Sequence, residues 1–233
     1  MVFKAPQRQF FPLGQNVPSV KHRKITMREE LKRYFSFLNE RQLDLYEQFA
    51  SCFLSWNEKI NLISRKDTEN LFVHHILHSL AIAKVCEFKP MCRVLDIGTG
   101  GGFPGLPLAI MFPQTEFVLV DSIGKKIKVV EAVSEALGLQ NVKPMQTRAE
   151  KLQEKFDFIV SRAVTNLEDF IPWTKGKFSK INYHDLPNGI LYLKGGDLKE
   201  ELSKIKKPYK VYDIDTWFED EFFQTKKVVY LKG

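Results

Sequence analysis

The sequence contains no long hydrophobic run. None of its apolar stretches approaches the roughly 20 residues that span a bilayer, and no secretory h-region follows Met1. Hydrophobic residues nevertheless make up 44% of the 233 residues, which is enough for a sizeable buried core. We therefore expect a cytoplasmic protein that contacts no membrane.

Cysteine is also scarce. Cys52, Cys86 and Cys92 show neither metal-ligand spacing nor the even count of a disulfide framework, so we expect reduced thiols. His74 and His78 have the spacing of one helix face, but a zinc-protease motif requires glutamate at the next position and no third ligand is apparent. The sequence therefore predicts no metal site. The histidines are expected to pack between helix and sheet or to line a cleft.

Acidic residues are absent from residues 1–25, where lysine and arginine recur between prolines. This composition predicts a flexible basic arm. The whole chain has a net charge of +7, which favours an anionic partner such as nucleic acid.

Helical patterns occupy residues 26–88. A capping box formed by Thr26 and Glu29 begins a helix that extends to about residue 38. Apolar residues at three- and four-residue intervals predict a second helix from about residue 40, and a third extends from Asp67 or Thr68 to about residue 86. We expect these residues to form a helical cap in front of a domain formed by residues 89–233.

A glycine-rich loop follows the first predicted strand, which ends at Ile97. Glycine stands at positions 98, 100, 101, 102 and 105, so a ligand can approach the backbone closely. Read from Gly100, the loop matches the dinucleotide fingerprint of oxidoreductases. Read from Asp96, it matches the Asp-x-Gly-x-Gly-x-Gly pattern of S-adenosylmethionine-dependent methyltransferases. The second reading is favoured because the turn begins at Gly98.

Six further strands are predicted, over residues 116–121, 141–147, 156–160, 189–196, 211–215 and 226–231. Helical segments between them, including 123–137 and 197–207, indicate an α/β fold: a seven-stranded Rossmann-like sheet with helices on both faces. Asp121 ends the second strand, where a carboxylate can accept hydrogen bonds from a ribose or cap the next helix. Lys125 and Lys126 lie near the start of that helix, where a positive charge is unfavourable unless an anion lies opposite. We therefore expect them, together with Lys66, to contact RNA.

The segment after the fourth strand lacks two acceptor motifs. There is no Asn/Asp-Pro-Pro-Tyr sequence, which would gather acceptors around an exocyclic amine, and no Pro-Cys nucleophile for a pyrimidine C5. An acceptor that is already nucleophilic fits better. Guanine N7 is one, because it has an exposed lone pair and no proton, and its methylation requires alignment rather than a base.

Five segments together resemble the ribosomal RNA small subunit methyltransferase G family, also described as the glucose-inhibited division protein B type. They are Asp96–Gly105, Val120–Lys126, Arg148–Glu150, Ser161–Ala163 and Leu193–Gly195, and the cap agrees at 56–57, 61–62 and 75–77. The resemblance covers roughly residues 40 to 200. It implies a class I methyltransferase, here expected to be a monomer, that transfers a methyl group from S-adenosylmethionine to a guanine N7 of 16S ribosomal RNA.

The resemblance also implies roles for single residues. The expected cofactor-binding residues are Gly98, Phe103, Asp121, Ala149, Glu150 and Arg162. The residues expected to face the acceptor and to serve catalysis are Asn61, His75, Arg162 and Lys194. In the alternative interpretation, Arg162 and Lys194 form structural ion pairs with Glu150 or Asp96.

The chain departs from the family pattern in the cap, where His78 stands in place of the usual aspartate and Ile63 in place of a common threonine. Two other functions remain open. One is an NAD(P)-dependent oxidoreductase that uses the Gly100 register of the loop. The other is a non-catalytic ribosomal RNA-binding protein on the same fold.

Overall fold

A single mixed sheet forms the centre of the protein in the computed structural model, which describes residues 25–233. Its strands are β1 (Arg93–Ile97), β2 (Glu116–Asp121), β3 (Val142–Gln146), β4 (Phe158–Arg162), β5 (Gly189–Gly195), β6 (Tyr209–Asp213) and β7 (Lys226–Lys232). The order across the sheet is β3-β2-β1-β4-β5-β7-β6. Strands β1 to β5 are parallel, and β7 is antiparallel to both β5 and β6. The predicted seven-stranded α/β sheet is confirmed.

Alternate residues of the central strands face opposite sides of the sheet, as the period of two requires. Val94 belongs to a large apolar cluster on one face, and Leu95 belongs to a smaller cluster on the other. Helices cover both faces, because the chain must cross over between parallel strands.

The cap is more irregular than expected. Its elements are α1 (Met27–Tyr34), α2 (Glu40–Ile60), α3 (Arg65–Thr68), a π-helix (Leu71–Leu77), α4 (His78–Leu80) and α5 (Ile82–Val85). The capping box at Thr26 and Glu29 is confirmed, but α1 ends four residues before residue 38. The prediction of one helix over 67–86 is wrong. Ser64 caps the short α3 through the N–H of Asp67, and the π-helix interrupts the segment that follows.

The helices that connect the strands are α6 (Gly105–Met111), α7 (Gly124–Ala136), α8 (Leu167–Thr174) and α9 (Lys199–Ser203). Short 3₁₀-helices occupy Ala149–Lys151, Ile214–Thr216 and Glu221–Thr225. The predicted helix over 197–207 is too long at both ends, and Pro208 disfavours helical backbone at the residue before it. Helix α8 has no counterpart among the predictions.

The cap docks on the sheet through α2. The Gln42 side chain donates to the carbonyls of Ile110 and Met111 at the end of α6, at 3.0 and 2.9 Å. The Tyr46 hydroxyl donates to the Pro107 carbonyl at 2.8 Å. Apolar residues of the cap and of one sheet face form one cluster, so residue 88 does not separate two cores. The division into a cap over 26–88 and a domain over 89–233 stays a prediction. The basic arm predicted for residues 1–25 lies outside the described residues, except for Ile25.

Candidate active site

A cavity of ≈ 470 Å³ lies at the carboxyl ends of β1 to β4. This edge is where ligands bind in open parallel α/β sheets. The cavity contains all the residues predicted to bind the cofactor: Gly98, Phe103, Asp121, Ala149, Glu150 and Arg162. Their places in one cavity are observed, whereas their roles in binding stay predictions. We call it the first cavity.

The loop after β1 requires glycine for its backbone. Gly98, Gly100 and Gly102 have φ angles of +71°, +58° and +101°, in the region that side chains disfavour. A Cβ at Gly98 would lie 2.6 Å from Val164 in the loop after β4. The turn therefore begins at Gly98, and it opens the backbone towards a ligand.

Asp96 fixes both ends of this loop. Its Oδ2 accepts hydrogen bonds from the Thr99 hydroxyl at 2.7 Å and from the Gly105 N–H at 2.9 Å, so one carboxylate joins the strand to the start of α6. The side chain is fully buried, and burial raises its pKa to about 7. Its Oδ1 has no hydrogen-bond partner among the described residues.

Asp121 hydrogen-bonds to the glycine loop and to the residue that precedes α7, while its predicted contact with a ribose stays a prediction. Its Oδ2 accepts from the Gly100 N–H at 3.0 Å, and its Oδ1 accepts from the Ile123 N–H at 2.9 Å, just before α7. It therefore supports the start of α7, although Ile123 is the N-cap residue. Each carboxylate oxygen can accept a second hydrogen bond, so these bonds leave acceptor capacity for a ribose hydroxyl.

The 3₁₀-helix after β3 places Ala149 and Glu150 at the far end of the first cavity. Ala149 is buried, and Glu150 is exposed at the rim. Sequence reasoning missed the contributions of Val164 and Trp173 to this cavity. Trp173 lies on α8, and the proline within that helix hides its helical pattern.

A second cavity of ≈ 420 Å³ adjoins the first, and both are lined by Arg162 and Ala163. Its other walls come from Asp67, from the π-helix and α4, from the end of β5 and from Phe222 and Lys226 near the start of β7. Three of the four predicted catalytic residues, His75, Arg162 and Lys194, line this second cavity. Asn61 lies outside both cavities: it ends α2 with a φ of +52°, and its side chain is exposed.

Arg162 lies between the two cavities. Its guanidinium donates to His75 Nδ1 at 3.0 Å and to the His74 carbonyl at 3.3 Å, and its Cζ lies 4.8 Å from the centre of the Phe103 ring. Burial lowers its pKa to about 10, so the side chain stays charged at neutral pH. Among the described residues it forms no ion pair with a carboxylate, contrary to the alternative interpretation.

The contact with Arg162 fixes the tautomer of His75. A guanidinium only donates, so Nδ1 accepts and the proton of the neutral ring is on Nε2. Burial, reinforced by the charge of Arg162, lowers the pKa of His75 to about 3 and that of His78 well below its usual range. Both rings are therefore neutral at physiological pH. They pack at the junction of cap and sheet and also line the second cavity, whose role as the substrate cleft stays a prediction.

Lys194 is an ion-pair partner, but not of Glu150 or Asp96. Its Nζ lies 2.8 Å from Glu201 Oε1 and donates to the Thr165 carbonyl at 3.0 Å. The same Glu201 oxygen accepts the N–H of Leu167 at the start of α8. Lys194 therefore holds the loop after β4 in place, and the same lysine side chain lines the second cavity.

The lysines predicted to contact RNA have different surroundings. Lys66 is exposed on α3, and Lys125 is exposed at the start of α7. Lys126 lines the first cavity, with its Nζ 3.8 Å from Asp121 Oδ2. Contact with RNA stays a prediction for all three.

Residues 25–233 contain no cluster of His, Cys, Asp and Glu that could hold a metal ion. In the same residues, no helix is long and apolar enough to cross a membrane. The three cysteines are free thiols.

Comparison with known proteins identifies the family. The family model for rRNA small subunit methyltransferase G matches residues 39–227. The chain is 57% identical over 203 residues to the ribosomal RNA small subunit methyltransferase G of Flavobacterium johnsoniae, covering 87% of this chain and 97% of that one. It is 52% identical over 201 residues to the protein of the same description from Cytophaga hutchinsonii, covering 86% and 97%. These matches do not support the oxidoreductase or the non-catalytic alternative.

Solved structures agree on the fold alone. Precorrin-6y C5,15-methyltransferase from Geobacter metallireducens has a TM-score of 0.50 at 11% identity, covering 75% of this chain and 92% of that one. MtNAS in complex with MTA and tNA has a TM-score of 0.52 at 15% identity, covering 82% and 72%. The glycine loop, the cavity at the ends of the parallel strands and the match over residues 39–227 lead to one assignment. The chain belongs to the family of rRNA small subunit methyltransferase G.

Proposed function

We propose that the protein transfers the methyl group of S-adenosylmethionine to N7 of one guanine in small-subunit ribosomal RNA. The observation that carries the proposal is the meeting of two cavities at Arg162, one below the glycine loop and one lined by cations and imidazoles. The first has the size of a small-molecule site. The second adjoins it at Arg162 and Ala163 and offers room for RNA beside the acceptor guanine.

The residues that line the first cavity fit S-adenosylmethionine. Gly98 and Gly100 both have positive φ, and no atom lies within 4 Å of the Cβ position of Gly100, so the backbone is open there, while Asp121 keeps acceptor capacity beside the loop. Ala149 and Glu150 would lie at the adenine end. When bound, S-adenosylmethionine supplies a methyl group that is attached to a positively charged sulfur. An unprotonated guanine N7 can accept this methyl group.

The residues of this chain would align the reactants rather than move protons. N7 carries no proton, so the transfer needs no general base, and the neutral His75 with its low pKa is consistent with that absence. Arg162 is held by His75, the His74 carbonyl and Phe103, and it would hold the RNA so that the guanine is aligned with the methyl group. Lys194 is tied to Glu201 and would position the loop after β4.

The test is methyl transfer from labelled S-adenosylmethionine to small-subunit RNA, and to small subunits that lack the modification, followed by cleavage chemistry selective for N7-methylguanine. Label at one guanine is the expected result. Label on another atom would support methyltransferase activity but contradict N7 as the acceptor. If the protein does not bind S-adenosylmethionine, the whole proposal is wrong.

The proposal extends to the substrate, the oligomeric state and the location of the enzyme. We propose that the substrate is the small-subunit RNA or the ribosomal subunit, that the enzyme acts as a monomer and that it works in the cytoplasm, where that substrate is found. Light scattering with and without RNA checks the monomer, since a dimer at assay concentration would contradict it.

A further inference from the structure

The second cavity has more positive charge than its surroundings neutralise. Arg162, Lys194 and Lys226 line it, and Asp67 is its one acidic lining residue. Asp67 is already engaged, because its Oδ1 lies 3.1 Å from His74 Nδ1 and its Oδ2 accepts from the Ser64 hydroxyl. Lys194 is neutralised by Glu201. Arg162 and Lys226 are left as the cations without an ion-pair partner among the described residues.

The pairing of β7 with β5 places Lys226 beside this cavity. Lys226 begins β7 opposite Gly195, the last residue of β5. A Cβ at Gly195 would lie 3.1 Å from Lys226 Nζ and 3.2 Å from its Cδ, so the lysine side chain extends across the Gly195 position of β5. Its ammonium stands 4.6 Å from the centre of the Phe222 ring. Among residues 25–233 the ammonium forms no hydrogen bond or ion pair, so its N–H groups remain available to a ligand.

The groups that contact the two cations directly are neutral, although the carboxylates of Asp67 and Asp96 lie near enough to act on the charge of Arg162. Arg162 donates to an imidazole nitrogen and to a backbone carbonyl. His78 is buried beside both cations, and the charges of Arg162 and Lys226 both help to lower its pKa. Because partly buried charges are stabilised by an anion, these two cations offer a binding place for an anionic group from outside this part of the chain.

We propose that the second cavity binds a phosphodiester group of the RNA next to the target guanine, held between Lys226 and Arg162. The proposal rests on the proposed function for the identity of the RNA, and it adds a contact that the cofactor loop does not supply. Lys226 gives a point charge, and Arg162 presents planar donors of the kind that bind phosphate oxygens.

A phosphodiester fits this cavity better than the reactive edge of guanine. A cation that donated a hydrogen bond to N7 would occupy the lone pair that must accept the methyl group. Base stacking is also disfavoured, because the Phe222 ring already stacks on His74 at 3.9 Å with an interplanar angle of 15° and also lies beneath the ammonium of Lys226. A phosphate needs neither the lone pair nor an open ring face.

The chain offers a matched control for Lys226. Lys227 is the next residue of β7, and it forms an ion pair with Asp213 of β6. Lys226→Gln and Lys227→Gln each remove one charge and leave a polar side chain that is one bond shorter, so the two variants are matched to each other. Affinity for a small-subunit RNA fragment is measured by fluorescence anisotropy from 50 to 200 mM salt, with S-adenosylhomocysteine present. We expect Lys226→Gln to weaken binding about tenfold and to reduce the salt slope by about one, whereas Lys227→Gln changes neither.

A second measurement locates the phosphate. RNA fragments that carry one neutral methylphosphonate at successive positions around the target guanine are compared on the wild type and on Lys226→Gln. At one position, neutralising the phosphate should weaken binding to the wild type and have little further effect on the variant, because the two changes remove the same contact. Lys226→Arg should restore most of the affinity.

Two outcomes would overturn the phosphate site: equal losses for Lys226→Gln and Lys227→Gln, or additive effects of Lys226→Gln and every methylphosphonate. Loss of S-adenosylhomocysteine binding in Lys226→Gln would also overturn it, because it would place the lysine in the first cavity. The readout is binding, so it is separate from the proposed function. If the wild type binds RNA through Lys226 but methylates no guanine N7, the function fails and the site stands.

Discussion

The two cavities that meet at Arg162 are built in different ways. The first is assembled from residues that follow the ends of β1, β2, β3 and β4, so the topology of a parallel sheet brings them to one edge. The second joins the π-helix of the cap, the end of β5 and the start of β7. The first is governed by local backbone geometry and the second by charge, which makes them separable by experiment.

Arg162 belongs to both cavities and should give the largest effect. We expect Arg162→Gln to lower kcat for RNA methylation by about 10²–10³-fold, because a positioned charge next to the reacting atoms is lost. S-adenosylhomocysteine affinity, measured by calorimetry, should fall less than about tenfold. The control is Arg93→Gln, at the opposite end of the sheet, where Arg93 pairs with Glu116 and Glu154. A variant of Arg162 that loses cofactor binding alone would assign the residue to the first cavity.

Gly98 belongs to the first cavity alone. We expect Gly98→Ala to weaken S-adenosylhomocysteine binding about 100-fold, because the backbone has a φ of +71° and the new Cβ would lie 2.6 Å from Val164. Gly138→Ala is the matched control: Gly138 has a φ of +65°, but no atom lies within 4 Å of its Cβ position. It should lower stability and leave cofactor affinity unchanged. Equal losses of affinity in both variants would mean that backbone strain alone is responsible.

The first cavity was the predictable one. The glycine positions, Asp121 and Glu150 all lie within a few residues of a strand end, so a correct order of strands is enough to bring them together. The capping box at Thr26 and the strand over 116–121 depend on equally local signals. Family resemblance added Arg162 and Lys194, which no local pattern marks.

The second cavity was largely hidden. Phe222 and Lys226 lie about 60 residues after Arg162 and reach it only because β7 inserts between β5 and β6. The π-helix depends on tertiary contacts of His74 and His75 that local propensity does not encode. The ion-pair partner of Lys194 was sought at Asp96 and Glu150, and it is on α9 instead.

Asp96, which fixes the glycine loop of the first cavity, and the histidines of the second cavity should affect stability with opposite pH dependence. Asp96, whose pKa is about 7 when folded against an ordinary value of 3.8, stabilises the fold most below pH 3.8, and this contribution is lost as pH rises to about 7. His75 has the opposite sign: its folded pKa of about 3 lies below its ordinary 6.5, so its contribution is present above pH 6.5 and is lost as pH falls. His78 acts in the same direction as His75.

Variants separate these opposing contributions. Between pH 6.5 and 5, stability of Asp96→Asn should fall with decreasing pH more steeply than that of the wild type, by about 1 kcal/mol per pH unit. His78→Gln should make the decline shallower. Urea unfolding at half-unit pH steps gives the slopes. If both variants shift the slope in the same direction, the assignment of opposite signs to Asp96 and the histidines is wrong.

Substitution of Glu201 should give the smallest effect. Glu201 forms an ion pair with Lys194, which lines the second cavity. Glu201→Gln keeps an oxygen that can accept the Leu167 N–H but removes the charge that holds Lys194, and both side chains are mostly buried, at 18% and 12% exposure. We expect kcat/KM for RNA to fall about fivefold through kcat, because the lysine and the loop after β4 lose one fixed contact.

Glu200→Gln is the control for this last prediction. Glu200 precedes Glu201 on α9, but its side chain is 92% exposed and lies 3.8 Å from Lys204. Its loss should leave kcat and KM unchanged, as is usual for an exposed pair. If Glu201→Gln also left kcat unchanged while lowering stability, Lys194 would serve the fold of the loop and not the reaction. The acceptor side would then depend on Arg162 and Lys226 alone, and the charge at position 194 could be removed without loss of turnover.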